Sequence, residues 1–397
     1  MDELKMQNGA LILEGGSLRS LFTSGVLDVF MEHNLYFSDV TGVSAGSLTG
    51  VNYVSRQPGR SAKLNIDYVN DKRYLGVNNL ILHHEIFSFD FLFNDLSRSI
   101  LPMDFDTFYK SPQHFTAVAT NLRTGEAEYF EKSACSDILA AIRASSSMPM
   151  LSKAVKMNGE LYLDGGCAMA IPYQKAIDDG FEKIVLVLTR QQGYRKLYTK
   201  PSMLRLYAKY FRHFPKFLSA LYAVPTRYDA QQREIDRLEK EGRIFVIRPQ
   251  GPVNVSHTEK DTAKLKALYE EGRQEAERHA RFLQRDVLFI RLFRSLCSIL
   301  IADVGVQRRD QHQRIVQVVR HLLAVGADAE CAAVVERLDG LGQQARGLQE
   351  VVDADGHEHV QLEVALAGRH ADGHVVAHDL HGHHRDRFAL RRVDLAG

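Results

Sequence analysis

The chain has 397 residues, with Lys and Arg at 50 against Asp and Glu at 49, a formal net charge of +1. At ~150 residues per domain this allows two or three domains, or one large domain with an appendage. A hydrophobic fraction of 45% and a charged fraction of 25% exclude collagen-like, disulfide-scaffold and wholly disordered chains, and the balanced charge excludes a dedicated nucleic-acid binder, which carries a strong basic excess.

The N-terminus, MDELKMQNGALILEGG, places acidic residues before the short apolar run Gly9–Leu13, whereas a signal peptide needs a longer apolar stretch behind a basic end. Ala10–Leu13 reads as a buried strand. It runs into Glu14-Gly15-Gly16-Ser17-Leu18-Arg19-Ser20 and then a helical pattern from about Leu18 to His33. Small residues between a strand and a helix let backbone N–H groups converge on an anion, as acyl transfer requires where its oxyanion forms. A phosphate-binding loop is the rival reading. It lacks support from a Lys-Ser or Lys-Thr after the glycines or from a complete G-x-G-x-x-G. Arg19 is a candidate contact for a substrate phosphate, the alternative being an exposed or salt-bridged helix residue.

A second strand, Asp39–Gly42, leads into Gly42-Val43-Ser44-Ala45-Gly46 and a helix beginning near Ser44. This is a G-x-S-x-G between a strand and a helix, the context of a nucleophile elbow. Gly42 and Gly46 permit the tight turn, and Ser44 falls at a helix N-terminus, where the dipole favours developing negative charge. Such a pentapeptide arises by chance about once in ten chains of this length, and a plain turn with Ser44 as N-cap is the alternative.

Further strands are expected at Phe115–Thr120, Ala127–Phe130, Leu161–Leu163 and Ile184–Leu188, with helices around Ser136–Ala144 and Pro172–Asp179. Strands alternating with helices predict an α/β fold with a mainly parallel sheet. Asp164-Gly165-Gly166 follows the third of these strands, so an acidic side chain stands at a strand end beside two glycines; a capping Asp is the bland alternative.

From about Pro201 the pattern is helical. Met203–Val224 interleaves Arg205, Lys209, Arg212 and Lys216 with Tyr207, Tyr210, Phe211, Phe214 and Phe217, which suits a helix lying in a lipid interface, kinked at Pro215. The alternative is a helix packed on the core with snorkelling cations. Tyr228–Glu241 and Thr258–Leu283 are two more helices, and Arg243–Ile247 is a candidate strand. The longest apolar run, Val287–Val306, is interrupted by Arg291, Arg294 and Asp303, short of the ~20 apolar residues of a membrane span. Cys135, Cys167, Cys297 and Cys331 show no disulfide framework or metal-ligand spacing, which suits a reducing compartment. The expected location is cytoplasmic, in solution or peripheral at the inner face of the membrane.

Residues 286–397 differ in kind. After Leu300 there is no Lys, Met, Asn, Pro, Ser, Thr or Tyr, while ten of the 17 histidines fall there. That composition fits a GC-rich coding region read in a frame not selected for protein. An unusual helical appendage and a metal-binding tract are the alternatives, the latter because His370, His374 and His378 stand one helical turn apart.

In order, spacing and context, the three loops resemble the patatin-like phospholipase family, whose pattern is G-G-G-x-R/K-G, then G-x-S-x-G, then D-G-G or D-G-A. Ala144-Ser145-Ser146-Ser147-Met148-Pro149 is similar to that family's A-S-x-x-x-P segment. The resemblance spans about residues 9–195, which it marks as a catalytic domain with a three-layer α/β/α core. Residues 196–285 are similar to a helical extension in a bacterial branch, and the tail falls outside. It implies a serine acyl hydrolase of lipid esters, with Ser44 as nucleophile, Asp164 as its partner in a dyad, and the amides of Gly15, Gly16 and Ser17 as oxyanion hole. No metal or organic cofactor is needed for a dyad, and no nucleic-acid partner is expected. Ser17 and Ser20 stand where the family has glycine, and a positive φ at Ser17 is uncomfortable. Two other readings remain: a Ser-His-Asp esterase, for which His83, His84, His114 and His213 lack motif context, and a catalytically weak lipid-binding protein that keeps the fold.

Overall fold

A computed structural model describes residues 6–283 together with two short strands, Val351–Val352 and Glu358–His359. The strands form an antiparallel pair of their own. The tail composition, His370, His374, His378, Cys297, Cys331 and the side chain of His83 lie outside the described residues.

Four strands form the centre of the sheet: β1 (Met6–Leu13), β2 (Tyr36–Val43), β3 (His114–Asn121) and β7 (Ile184–Val187). They run parallel in the order β3-β2-β1-β7. The expected strand near Arg243–Ile247 is present as β8 (Phe245–Ile247) and extends the sheet in parallel beyond β7. At the other side β4 (Ala127–Glu131), β5 (Val155–Met157) and β6 (Glu160–Asp164) add antiparallel pairs. The fold is α/β with a mainly parallel mixed sheet.

Alternation along the strands divides the core. Leu11, Leu13, Val185 and Val187 face one helical layer, while Ala10, Ile12, Ile184, Leu186 and Leu188 face the other. Apolar residues on both faces turn these strands into the continuous runs seen in the sequence. On the first face lies α1 (Leu21–Glu32), buried at every position from Leu21 to Met31 because α10 (Thr262–Leu283) covers its outer side. Tyr269 on α10 donates to Asp28 Oδ2 at 2.8 Å, and Arg273 forms a fork on Glu32 at 2.9 and 2.8 Å. On the second face lie α7 (Tyr173–Asp178) and α9 (Pro215–Lys240), contributing Tyr173, Tyr228, Ile235 and Leu238.

The segment expected as one kinked helix is two. α8 (Pro201–Tyr210) ends at Phe211, and Pro215 opens α9 at its first turn. Proline suits that position because the N–H it lacks has no helical acceptor there. α9 then runs on through Pro225 and absorbs the helix expected at Tyr228–Glu241. Among the described residues no helix is long and apolar enough to cross a membrane.

Candidate active site

Strand register brings the site together. Along one edge of β3, β2 pairs as far as Val43 opposite Val118, and β6 takes over with Asp164 opposite Ala119. The other edge carries β4. The parallel and antiparallel strands therefore end head to head against consecutive residues of β3. Ser44, the residue after β2, and Asp164, the last of β6, meet although 120 positions apart: Ser44 Oγ donates to Asp164 Oδ2 at 2.6 Å.

Ser44 caps α2 (Ala45–Val54) with φ 54 and ψ −129, a region that non-glycine residues occupy only under constraint, typically at functional turns. The constraint is visible. Ser44 N–H donates to Ser145 Oγ at 2.8 Å, and Gly46 passes so near β1 that an added Cβ would lie 2.4 Å from the Leu13 carbonyl oxygen. Gly42 sits within the sheet, opposite Leu13 and Ala117.

Asp164 is only 7% exposed. Its second oxygen accepts from Gly166 N–H at 2.8 Å, and its own N–H donates to the Ser147 carbonyl at 2.8 Å. Burial pushes its carboxyl up to about 6, offset in part by the bonds from Ser44 and Gly166 and by the charge of Lys196. Both oxygens are thus engaged without a histidine. His114 bonds Glu131 and His213 bonds Arg212 instead.

The loop after β1 closes over this pair. An added Cβ at Gly15 would stand 2.8 Å from Ser44 Cβ, so glycine is what lets the loop approach the serine. Gly15, Gly16 and Ser17 carry backbone amides with no acceptor among the described residues, and Ser17 and Ser44 line a common pocket. Ser17, where the resemblance expects glycine, does adopt the left-handed φ of 52. Its hydroxyl donates to the His257 carbonyl at 2.7 Å, and its carbonyl accepts from Ser20 Oγ at 2.7 Å. These two bonds offset a backbone cost of about 1–2 kcal/mol. Beneath the loop, buried Glu14 accepts from Thr189 N–H at 2.6 Å and from Tyr228 OH at 2.7 Å.

Arg19 is 8% exposed and lies outside the pocket lining. Burial, and next the nearby charge of Arg190, lower its pKa, while Glu14 acts in the opposite direction. The pocket beside Ser44 is walled by Leu48, Phe87, Phe89, Leu92, Phe93 and Met148. Leu92 and Phe93 come from a π-helical segment, Phe91–Ile100, a form that recurs at functional sites. At its floor Arg60 donates to Asn52 at 2.7 Å, Ser97 at 3.0 Å and the Leu101 carbonyl at 2.9 Å, fastening that segment to α3 (Arg60–Asp67). Ser145 and Ser147 were legible only as part of a family-like segment. Glu14, Thr189, Tyr228, Lys196 and Arg60 carried no sequence signal of their own.

The α/β fold thus carries a serine on a strand–helix elbow, bonded to a strand-end carboxylate beneath a glycine loop. Residues 11–177 match the family described as patatin-like phospholipase, and the chain carries a patatin-like phospholipase domain. Residues 214–285 match a domain of unknown function, DUF6363. The chain is 27% identical over 259 residues to the uncharacterized protein YjjU of Escherichia coli (strain K12), covering 62% of this chain and 69% of that protein. A solved structure, VipD from Legionella pneumophila, is similar at a TM-score of 0.40 and 11% identity, covering 86% of this chain and 81% of that one.

Proposed function

We propose that the protein is a serine acyl hydrolase that cleaves lipid acyl esters, of phospholipase or lysophospholipase type, with Ser44 as nucleophile and Asp164 as its base. The 2.6 Å bond from the Ser44 hydroxyl to a buried carboxylate carries this reading. In the proposed sequence Ser44 Oγ attacks the ester carbonyl and its proton passes to Asp164 Oδ2. The amides of Gly15, Gly16 and Ser17, with the N-terminus of α2, stabilise the tetrahedral oxyanion. Collapse expels the alcohol, which takes the proton from Asp164, and water then hydrolyses the acyl-enzyme with Asp164 again as base. The phenylalanine-rich pocket supports an acyl chain as the group transferred. The free thiols of Cys135 and Cys167 support a reducing compartment.

A carboxylate at its ordinary pKa of ~3.9 is a poor base for an alcohol, and a value near the working pH serves better. Asp164 takes the proton only when ionised, and its carboxyl stands at about 6. Below that pH, kcat/KM for a neutral ester is expected to fall about tenfold per unit, and above it to level off. A pH–rate profile checks this, and a rate that stayed flat well into the acid range would contradict a base of this kind. Hydrolysis of a panel of phospholipids, lysophospholipids and acylglycerols, beside a Ser44→Ala control, tests the proposed function itself. Release of fatty acid from the lipids by the parent chain alone supports it, and no release from any of them contradicts it.

A further inference from the structure

The helix α8 has no buried residue, although most of its side chains are apolar. Met203, Leu206 and Tyr210, spaced to share one helical face, are 39%, 42% and 63% exposed, and Leu197 and Tyr198 just before the helix are 86% and 77% exposed. The charge around them is one-sided. From Arg190 to Tyr228 the chain carries nine Lys or Arg and no Asp or Glu, in a protein whose net charge is +1. Arg195, Lys200, Arg205, Lys209, Arg212 and Lys216 are all exposed, and none is in an ion pair among the described residues.

We propose that the segment Arg195–Lys216, centred on α8, is a docking surface for an anionic lipid bilayer. Exposed apolar side chains interleaved with unpaired cations are what a helix lying in the interfacial plane presents, and the absence of any acid matches a surface of anionic headgroups. Its place in the fold gives the contact a use. The segment leaves the sheet after β7, at the same end where Ser44 follows the parallel strand β2. Tyr207 and Phe211 pack in the cluster that contains Cys167, three residues beyond Asp164. A bilayer held on α8 therefore adjoins the site. Charge and exposure make this surface, whether or not Ser44 turns over lipid.

Flotation of the full chain with vesicles tests it. The parent chain is expected to float with vesicles rich in phosphatidylglycerol, far less with pure phosphatidylcholine, and to be released as salt is raised. Each cation near an anionic surface strengthens partition about fivefold, so the double variant Arg205→Glu/Lys209→Glu is expected to lose roughly tenfold or more. Leu197→Ser/Leu206→Ser is also expected to weaken binding. Both are expected to hydrolyse a water-soluble short-chain ester at the parent's rate, and Ser44→Ala to float like the parent, which separates docking from turnover. Failure of the parent chain to float, equal flotation with phosphatidylcholine, indifference to both double variants, or a preference for DNA over the vesicles at the same salt would overturn the proposal.

Discussion

Ser44→Ala is expected to lower kcat for lipid ester hydrolysis by about 10⁴-fold or more while leaving the chain folded. The elbow is held by contacts that alanine keeps: the Ser44 N–H bond to Ser145 and the close passage of Gly46 over Leu13. What is lost is the hydroxyl and with it the donor to Asp164 Oδ2. A buried acceptor left without its partner costs about 1–3 kcal/mol, so a lower melting temperature is expected alongside the lost turnover. Circular dichroism melts beside initial rates check both. A folded Ser44→Ala protein with parental activity would remove the serine from the chemistry.

Asp164→Asn is expected to have the opposite effect on stability and the same effect on turnover. The Asp164 carboxyl stands at about 6 in the folded chain against an ordinary 3.8, because burial disfavours its charge. The folded state therefore holds the proton more tightly than the unfolded one. Stability from this group is present in acid, below its unfolded value, and is lost as pH rises through about 6. At neutral pH the ionised aspartate costs about two pKa units, or ~3 kcal/mol at 1.36 kcal/mol per unit. Asparagine carries no such penalty. Its Oδ1 can accept from Gly166, and its amide N–H can donate to Ser44 Oγ. The variant is expected to melt several degrees higher than the parent at neutral pH, with the gap closing in acid. Its kcat is expected to fall by ~10³–10⁴-fold for want of a base. Melting curves at neutral and acid pH decide it: an unchanged or lowered neutral melting temperature would show that the carboxylate is not strained by burial.

The three loops of the candidate site were legible because each lies at the end of a short apolar strand. Ala10–Leu13, Asp39–Gly42 and Leu161–Leu163 stand out by composition, and the glycines after them mark where the backbone must turn tightly. That the second and third ends meet depends on which edge of β3 each strand occupies, a non-local fact that no local pattern carries. The supports were hidden for the same reason. Glu14 finds Thr189 and Tyr228 only through tertiary packing, at sequence separations of 175 and 214. The pocket wall was hidden likewise: Leu92, Leu96 and Ile100 recur at a helical interval within the π-helical Phe91–Ile100, but no local pattern says that this segment packs beside Ser44. At Pro215 the residue was read by its interior effect, whereas its place in the chain is a helix start, where proline is tolerated.

Reaction of the chain with a fluorophosphonate probe, followed by peptide mapping, tests whether Ser44 is an activated nucleophile facing Asp164. A single covalent adduct on Ser44, absent from Ser44→Ala and slowed strongly in Asp164→Asn, is the expected result. An unlabelled Ser44, or labelling at the same rate once Asp164 is replaced, would contradict it.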